Sequence, residues 1–321
     1  MKTVNADTTW LLQLPRPDYT SHESSTSTRR YFNVLFDPWL SGPQSDVASW
    51  FSKQWHVIDP ALESIQEVED FCAATEPQSS SPKTESTNKS YLDAIVISHE
   101  FTDHCHKPTL LECHPSIPVI ATTKAATLIK GWKHFDHVIE TPPFETDWRD
   151  CSKTIGAEID NWPEWVSVAR VVTKSDKFYY HSAVMVLFNL SGSNQEAEAV
   201  IYTPHGIHPE SLGSLTKASP TISTLALLHG LHDVSIDWGQ QLNLGAHNGL
   251  AAQKALGAKW WIGTHDEDKK GGGVVSWFLR RNKIPLQDAM AKVADDEGGK
   301  GKLEDVNFVD AESGQSLVLV R

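Results

Sequence analysis

Ala94-Ile95-Val96-Ile97-Ser98-His99-Glu100-Phe101-Thr102-Asp103-His104 decides how this chain is read. The apolar, mostly β-branched run at its start reads as a strand. That strand ends at once in two imidazoles and a carboxylate, and the Lys107-Pro108-Thr109-Leu110-Leu111 that follows opens like a helix. Strand ends that meet helix starts are where metals and catalytic groups collect. Nitrogen and oxygen donors this close together suit a divalent transition metal, because neutral imidazole and ionised carboxylate together offset its charge. A capped helix start with solvated histidines is the plainer reading of the same residues. The fully apolar strand before them favours the metal.

The rest of the composition sets bounds. With 321 residues, 40% hydrophobic content and 12 Trp, the chain can fill a substantial core. A net charge of -13 argues against a nucleic-acid surface and favours a small molecule as partner. Met1 to Asp7 lacks the apolar core of a secretory signal, and no run has the length of a membrane span, so a cytoplasmic protein without membrane contact is expected. Cys72, Cys105, Cys113 and Cys151 lack paired spacing, which suits free thiols in a reducing compartment. Cys105, between His104 and His106, reads as a buried filler before it reads as a ligand.

Strands are expected at Thr8 to Leu14, Phe32 to Phe36, Val119 to Ala121, Val138 to Ile139, Phe178 to Phe188, Ala199 to Thr203, Leu225 to Leu228 and Trp260 to Gly263. Helices are expected after Lys107, over Thr123 to Trp132 and over Leu250 to Leu256. Such alternation signals a layered α/β core. The polar stretch at about 73–90 reads as a flexible insertion, Ser21 to Arg30 as an exposed connection, and Glu297 to Lys302 as a polar loop. Val306 to Arg321 looks like a closing hairpin, and Lys269 to Gly273 like a flexible lid.

Histidines recur at strand exits: His99, His181, His205, His229 and His265. Exits of this kind share one edge in a layered fold, so the side chains can converge. Asp37, in the turn Asp37-Pro38-Trp39, is read either as a partner holding a metal-bound histidine or as a plain turn residue.

The order of strand, His-x-x-x-Asp-His, helix and later strand-exit histidines resembles the metallo-β-lactamase fold superfamily over most of the chain. Leu35-Phe36-Asp37-Pro38-Trp39-Leu40 and Ile201-Tyr202-Thr203-Pro204-His205-Gly206 look like turns of its UlaG-like branch, with the texture of fungal members. The resemblance implies a single domain over 1–321, an αββα four-layer sandwich. It also implies metal ligands at His99, Asp103, His104 and His265, with His181 as a looser match. Two positions depart from the pattern: Phe101 stands where a second ligand histidine is expected, and His205 where a metal-bridging carboxylate is expected. His205 then becomes a neutral ligand.

The donors are thus His99, Asp103, His104, His181, His205 and His265, for one or two ions, with zinc first and iron or manganese as alternatives. The implied activity is a hydrolase that uses metal-bound hydroxide on a small-molecule ester, lactone, amide, thioester or phosphodiester. Asp103 would act as ligand or orient the nucleophile, and His229 or His232 would supply a proton to the leaving group. A metal-dependent lyase or decarboxylase, and a metal-free binding protein, stand as alternatives. Trp260, Trp261 and Trp277 read as core, and Asn248 as pocket lining or a helix cap.

Overall fold

The computed structural model describes residues 1–19, 29–46, 48, 50–77, 90–172, 180–191, 195–236, 240–296 and 306–320. Its centre is a pair of six-stranded sheets. The first runs in the order Lys2–Thr3, Trp10–Pro15, Tyr31–Phe36, Ala94–Ile97, Val119–Ala121, Val138–Glu140. Its first three strands are antiparallel neighbours and the last four are parallel. The second runs Phe308–Val309, Trp260–Ile262, Ile222–His229, Ala197–Thr203, Ser182–Phe188, Val166–Val172. It is parallel as far as Ala197–Thr203 and antiparallel beyond.

Every residue of Ala94–Ile97 is buried, because alternate side chains point into different layers. Ala94 and Val96 join Trp10, Leu12 and Phe36 in a core shared with Val168, Val186 and Leu228 of the second sheet. Ile95 and Ile97 face the other way with Leu11 and Leu35, against Val68 of the helix Ile65–Thr75 and Ile129 of the helix Thr123–Trp132. The far face of the second sheet repeats this. Met185, Ile201 and Leu227 pack with Trp148 of the helix Trp148–Gly156 and Ala252 of the helix Ala246–Leu256. The layers therefore run helices, sheet, sheet, helices, an αββα sandwich. Local capping sets two of the outer helices, since Ser64 and Asp147 accept hydrogen bonds from Glu67 N and Arg149 N.

Several expectations need revision. Val306 to Arg321 is not a hairpin: Phe308–Val309 adds to the edge of the second sheet and Ser316 bridges Lys2 of the first. Two open edges offer more backbone partners than the segment offers itself. Lys270–Gly272 pairs with Lys53–Trp55 in a two-stranded ribbon where a flexible lid was expected. Asn248 sits inside its helix, whose cap is Gly245. Trp261 is core, but Trp277 is 81% exposed. The helix Ile65–Thr75 runs into the proposed insertion, whose residues 78–89 lie outside the described residues, as do most of Ser21 to Arg30 and all of Glu297 to Lys302.

Candidate metal centre

The parallel strands of both sheets discharge at one edge of the sandwich. Asp37 follows Phe36, His99 to His104 follow Ile97, His205 follows Thr203, and His265 follows Ile262 by three residues. Two of these positions have left-handed backbone, Asp37 with φ 40° and His265 with φ 60°. Such conformations in non-glycine residues persist where the surroundings over-determine them, typically at functional sites.

His104 is the hub. It is fully buried, and its Nδ1 donates to Asp37 Oδ2 at 2.7 Å. Its Nε2 is thereby left facing His205 Nε2 at 2.8 Å. His265 is held the same way, its Nδ1 donating to Asp7 Oδ1 at 3.0 Å. Asp103 closes the group, with Oδ1 3.7 Å from His104 Nε2 and Oδ2 3.8 Å from His265 Nε2. Two trios of donor atoms result, Asp103–His104–His265 and His99–His104–His205, with the donors of each within 4.8 Å of one another.

The electrostatics suit a cation. Burial alone would raise the Asp103 carboxyl, but Lys269, His104 and His265 outweigh it and hold the group well below its usual range. Burial likewise opposes charge on His104, yet Asp103 and Asp37 prevail and raise its pKa. Burial, reinforced by neighbouring histidines, pushes His205 well below its ordinary value, and burial with Lys269 lowers His265. An ionised carboxylate beside His205 and His265 held neutral suits a metal, and a proton on His104 is what an ion would displace. His205 Nδ1 is buried without a hydrogen-bond partner, which marks His205 as something other than a structural histidine. The donor set fits a divalent transition ion.

The remaining candidates are placed differently. His99 belongs to one trio, but its Nε2 already faces the Tyr180 carbonyl at 3.0 Å and its Nδ1 faces Ser98 Oγ at 2.9 Å. His99 and His205 stack on each other at 4.4 Å, and Phe101 lies alongside both, its ring 6.0 Å and 5.7 Å from theirs. His181 lies outside both trios and contacts the His205 carbonyl through Nδ1 at 3.1 Å. His229 is fully buried, with its ring nitrogens on Gly230 O and Asn248 Oδ1. His232 Nδ1 accepts from Arg281 at 2.9 Å, and burial with Arg281 lowers its pKa to about 4. Neither His229 nor His232 lines the cavity at the centre. Cys105 is buried in the outer core, its thiol pushed up by burial.

That cavity measures about 190 Å³ and opens over Asp103, His205 and His265. Phe51, Phe101, Tyr180, Val234, Leu242 and Leu279 form its apolar wall, while Gln44, Asp46, Asn243, Lys269 and Arg281 supply polar groups. A larger groove by Glu140, Asp147 and Asp150 contains no histidine.

Sequence reasoning missed Asp7, Lys269, Asp46 and Arg281. Asp7 precedes a strand just as Asp37 ends one, and its loop is preorganised by Asn5 Oδ1, which accepts from Asp7 N and Thr9 N. The other three carry no local signal.

No protein-family model matches the chain, and a search of curated proteins finds no match. Solved structures do resemble it. An isothiocyanate hydrolase from Delia radicum gut bacteria aligns with TM-score 0.51 and 12% identity, over 97% of this chain and 99% of that one. CmlA, a diiron β-hydroxylase from Streptomyces venezuelae, aligns with TM-score 0.50 and 12% identity, over 98% of this chain and 54% of that one. The metallo-β-lactamase fold protein YhfI from Bacillus subtilis aligns at 0.46 and 12%, over 96% and 98%. The fold is of the metallo-β-lactamase type. In this metallo-β-lactamase-type sandwich the histidine and aspartate cluster lies at the carboxyl edge of the parallel strands. No helix among the described residues is long and apolar enough to cross a membrane.

Proposed function

We propose that the chain is a metal-dependent hydrolase of a small molecule. The observation that carries this reading is the paired arrangement Asp37–His104 and Asp7–His265. Each buried carboxylate takes one ring nitrogen and leaves the other toward Asp103. His104, His205, His265 and Asp103 would hold a divalent transition ion, with zinc first and iron or manganese as alternatives. When bound, such an ion supplies Lewis acidity and makes water a nucleophile at neutral pH.

The chain's own groups supply the rest. Phe51, Phe101, Tyr180 and Leu279 form an apolar wall that strengthens polar interactions beside it. Asp46, on the same wall, has its carboxyl raised by burial and by Asp103, while Asp103 is held ionised. Two carboxyls driven apart in this way divide acid and base roles, so Asp46 replaces His229 and His232 as the proton donor to the leaving group. Arg281 is anchored through Nη1 to His232 Nδ1 and the Glu267 carbonyl, and it lines the cavity as a partner for the polar end of a substrate. The turns at Asp37-Pro38-Trp39 and Pro204-His205-Gly206 support a UlaG-like assignment of fungal type.

Elemental analysis of the purified protein and turnover in labelled water test the reading. Bound metal and solvent oxygen in the product are expected. Unlabelled product with release of carbon dioxide would make the protein a lyase or decarboxylase, and a protein that retains no metal would be a binding module.

A further inference from the structure

Lys269 is an unusual neighbour for a metal centre. Its side chain is 5% exposed, and its Nζ lies 2.6 Å from Asp103 Oδ2 and 2.8 Å from Asp7 Oδ2. It also sits 5.4 Å from the Trp39 ring centroid. One ammonium thus grips both the carboxylate that closes the donor group and the carboxylate that orients His265. The ribbon of Lys270–Gly272 with Lys53–Trp55 fixes the segment that delivers it.

The charges buried here determine what else the centre accepts. Asp7, Asp37 and Asp103 bring three carboxylates into the interior, and Lys269 brings one ammonium. With His104 deprotonated by the ion, the excess is two negative charges, which one divalent ion neutralises. A second divalent ion would leave two uncompensated positive charges where desolvation is costly. The side chains nearest to serving a second ion are engaged elsewhere. His99 has Nε2 against the Tyr180 carbonyl and Nδ1 against Ser98 Oγ, His181 lies outside both donor trios, and Phe101 offers no donor.

We infer that Lys269 stands as the resident second cation of this centre and limits it to one divalent ion, holding Asp103 by one oxygen while the other serves the ion. Lys269 is on this account a positioning residue that acts through Asp103. The inference rests on the metal-binding reading above.

The test is metal stoichiometry, measured by elemental analysis and by calorimetric titration of chelator-stripped, full-length protein with zinc. Wild type and Lys269→Arg, which keeps the charge, bind one ion per chain. Lys269→Met leaves the Asp7 and Asp103 oxygens facing each other without a cation and takes up a second ion, visible as a two-site isotherm. Two ions in wild type, or a single ion of unchanged affinity in Lys269→Met, would overturn the inference while leaving the metal-binding reading intact. No ion in wild type would remove both. If Lys269→Met does not fold, Lys269→Gln retains a donor for the two carboxylates and gives the same readout, and the wild-type count still decides the first arm.

Discussion

The two sides of the histidine cluster are made of the same residue type, and they differ in what holds the far edge of each ring. On the side of His104 and His265, buried carboxylates Asp37 and Asp7 take Nδ1, so Nε2 of both rings is left for an ion. On the other side, His99 has Nε2 against the Tyr180 carbonyl and Nδ1 against Ser98 Oγ, so neither nitrogen is left over, His181 lies outside both donor trios, and Phe101 lies alongside His99. A histidine near a metal site is thus judged by its second nitrogen as much as by its position.

The largest way to break this comparison is His104→Ala, which removes the residue common to both trios. Metal content is expected to fall to background by elemental analysis, with activity lost alongside it. Retained metal would show that His104 is not the hub.

Removing an orienting carboxylate acts one step back. Asp37→Asn and Asp7→Asn are each expected to weaken metal affinity by about 10–100-fold, as losses of such partners do. Competition with a chromophoric chelator measures this. An effect of Asp37→Asn no greater than that of a surface substitution would remove the argument from the far nitrogen.

The next effect depends on pH. The pKa of His104 is raised above 6.5, because Asp103 and Asp37 outweigh burial, whereas His205 and His265 are lowered. Below its raised pKa a proton on His104 therefore competes with the metal. Apparent affinity should rise by about tenfold per pH unit until that ring is neutral in the metal-free protein. Titrations in buffers of different ionisation enthalpy read the released proton. Affinity flat between pH 6 and 8 would contradict the shift.

The smallest effects sharpen the contrast. His99→Gln and His181→Gln should leave metal affinity within the same order of magnitude, since both ring nitrogens of His99 face protein oxygens and His181 lies outside both donor trios. Loss comparable to that of His104→Ala would make the two sides equal partners.

Legibility along the chain followed the range of the physical cause. Ala94–Ile97 was readable as a strand because four consecutive apolar residues satisfy burial on both faces, whatever lies beyond them. Asp37 was readable as a possible partner for a metal-bound histidine because it ends a strand in a Pro-containing turn. Val166–Val172 was not identified although it closes one edge of the second sheet, for its apolar residues are interrupted by Ser167 and Arg170. The hairpin expected at Val306 to Arg321 failed because strand pairing there was settled by edges supplied by Trp260–Ile262 and Lys2.

By itself the sequence determined the layered α/β architecture and the clustering of His99, Asp103 and His104, because periodicity and short spacing act through neighbouring residues. Only the tertiary structure decided that Asp7 and Lys269, separated by most of the chain, meet at Asp103, and that His181, His229 and His232 stand aside. Burial, charge compensation and the choice of hydrogen-bond partner for a ring nitrogen are properties of the packed interior, where chain distance has no bearing on which charges lie within 3 Å of each other.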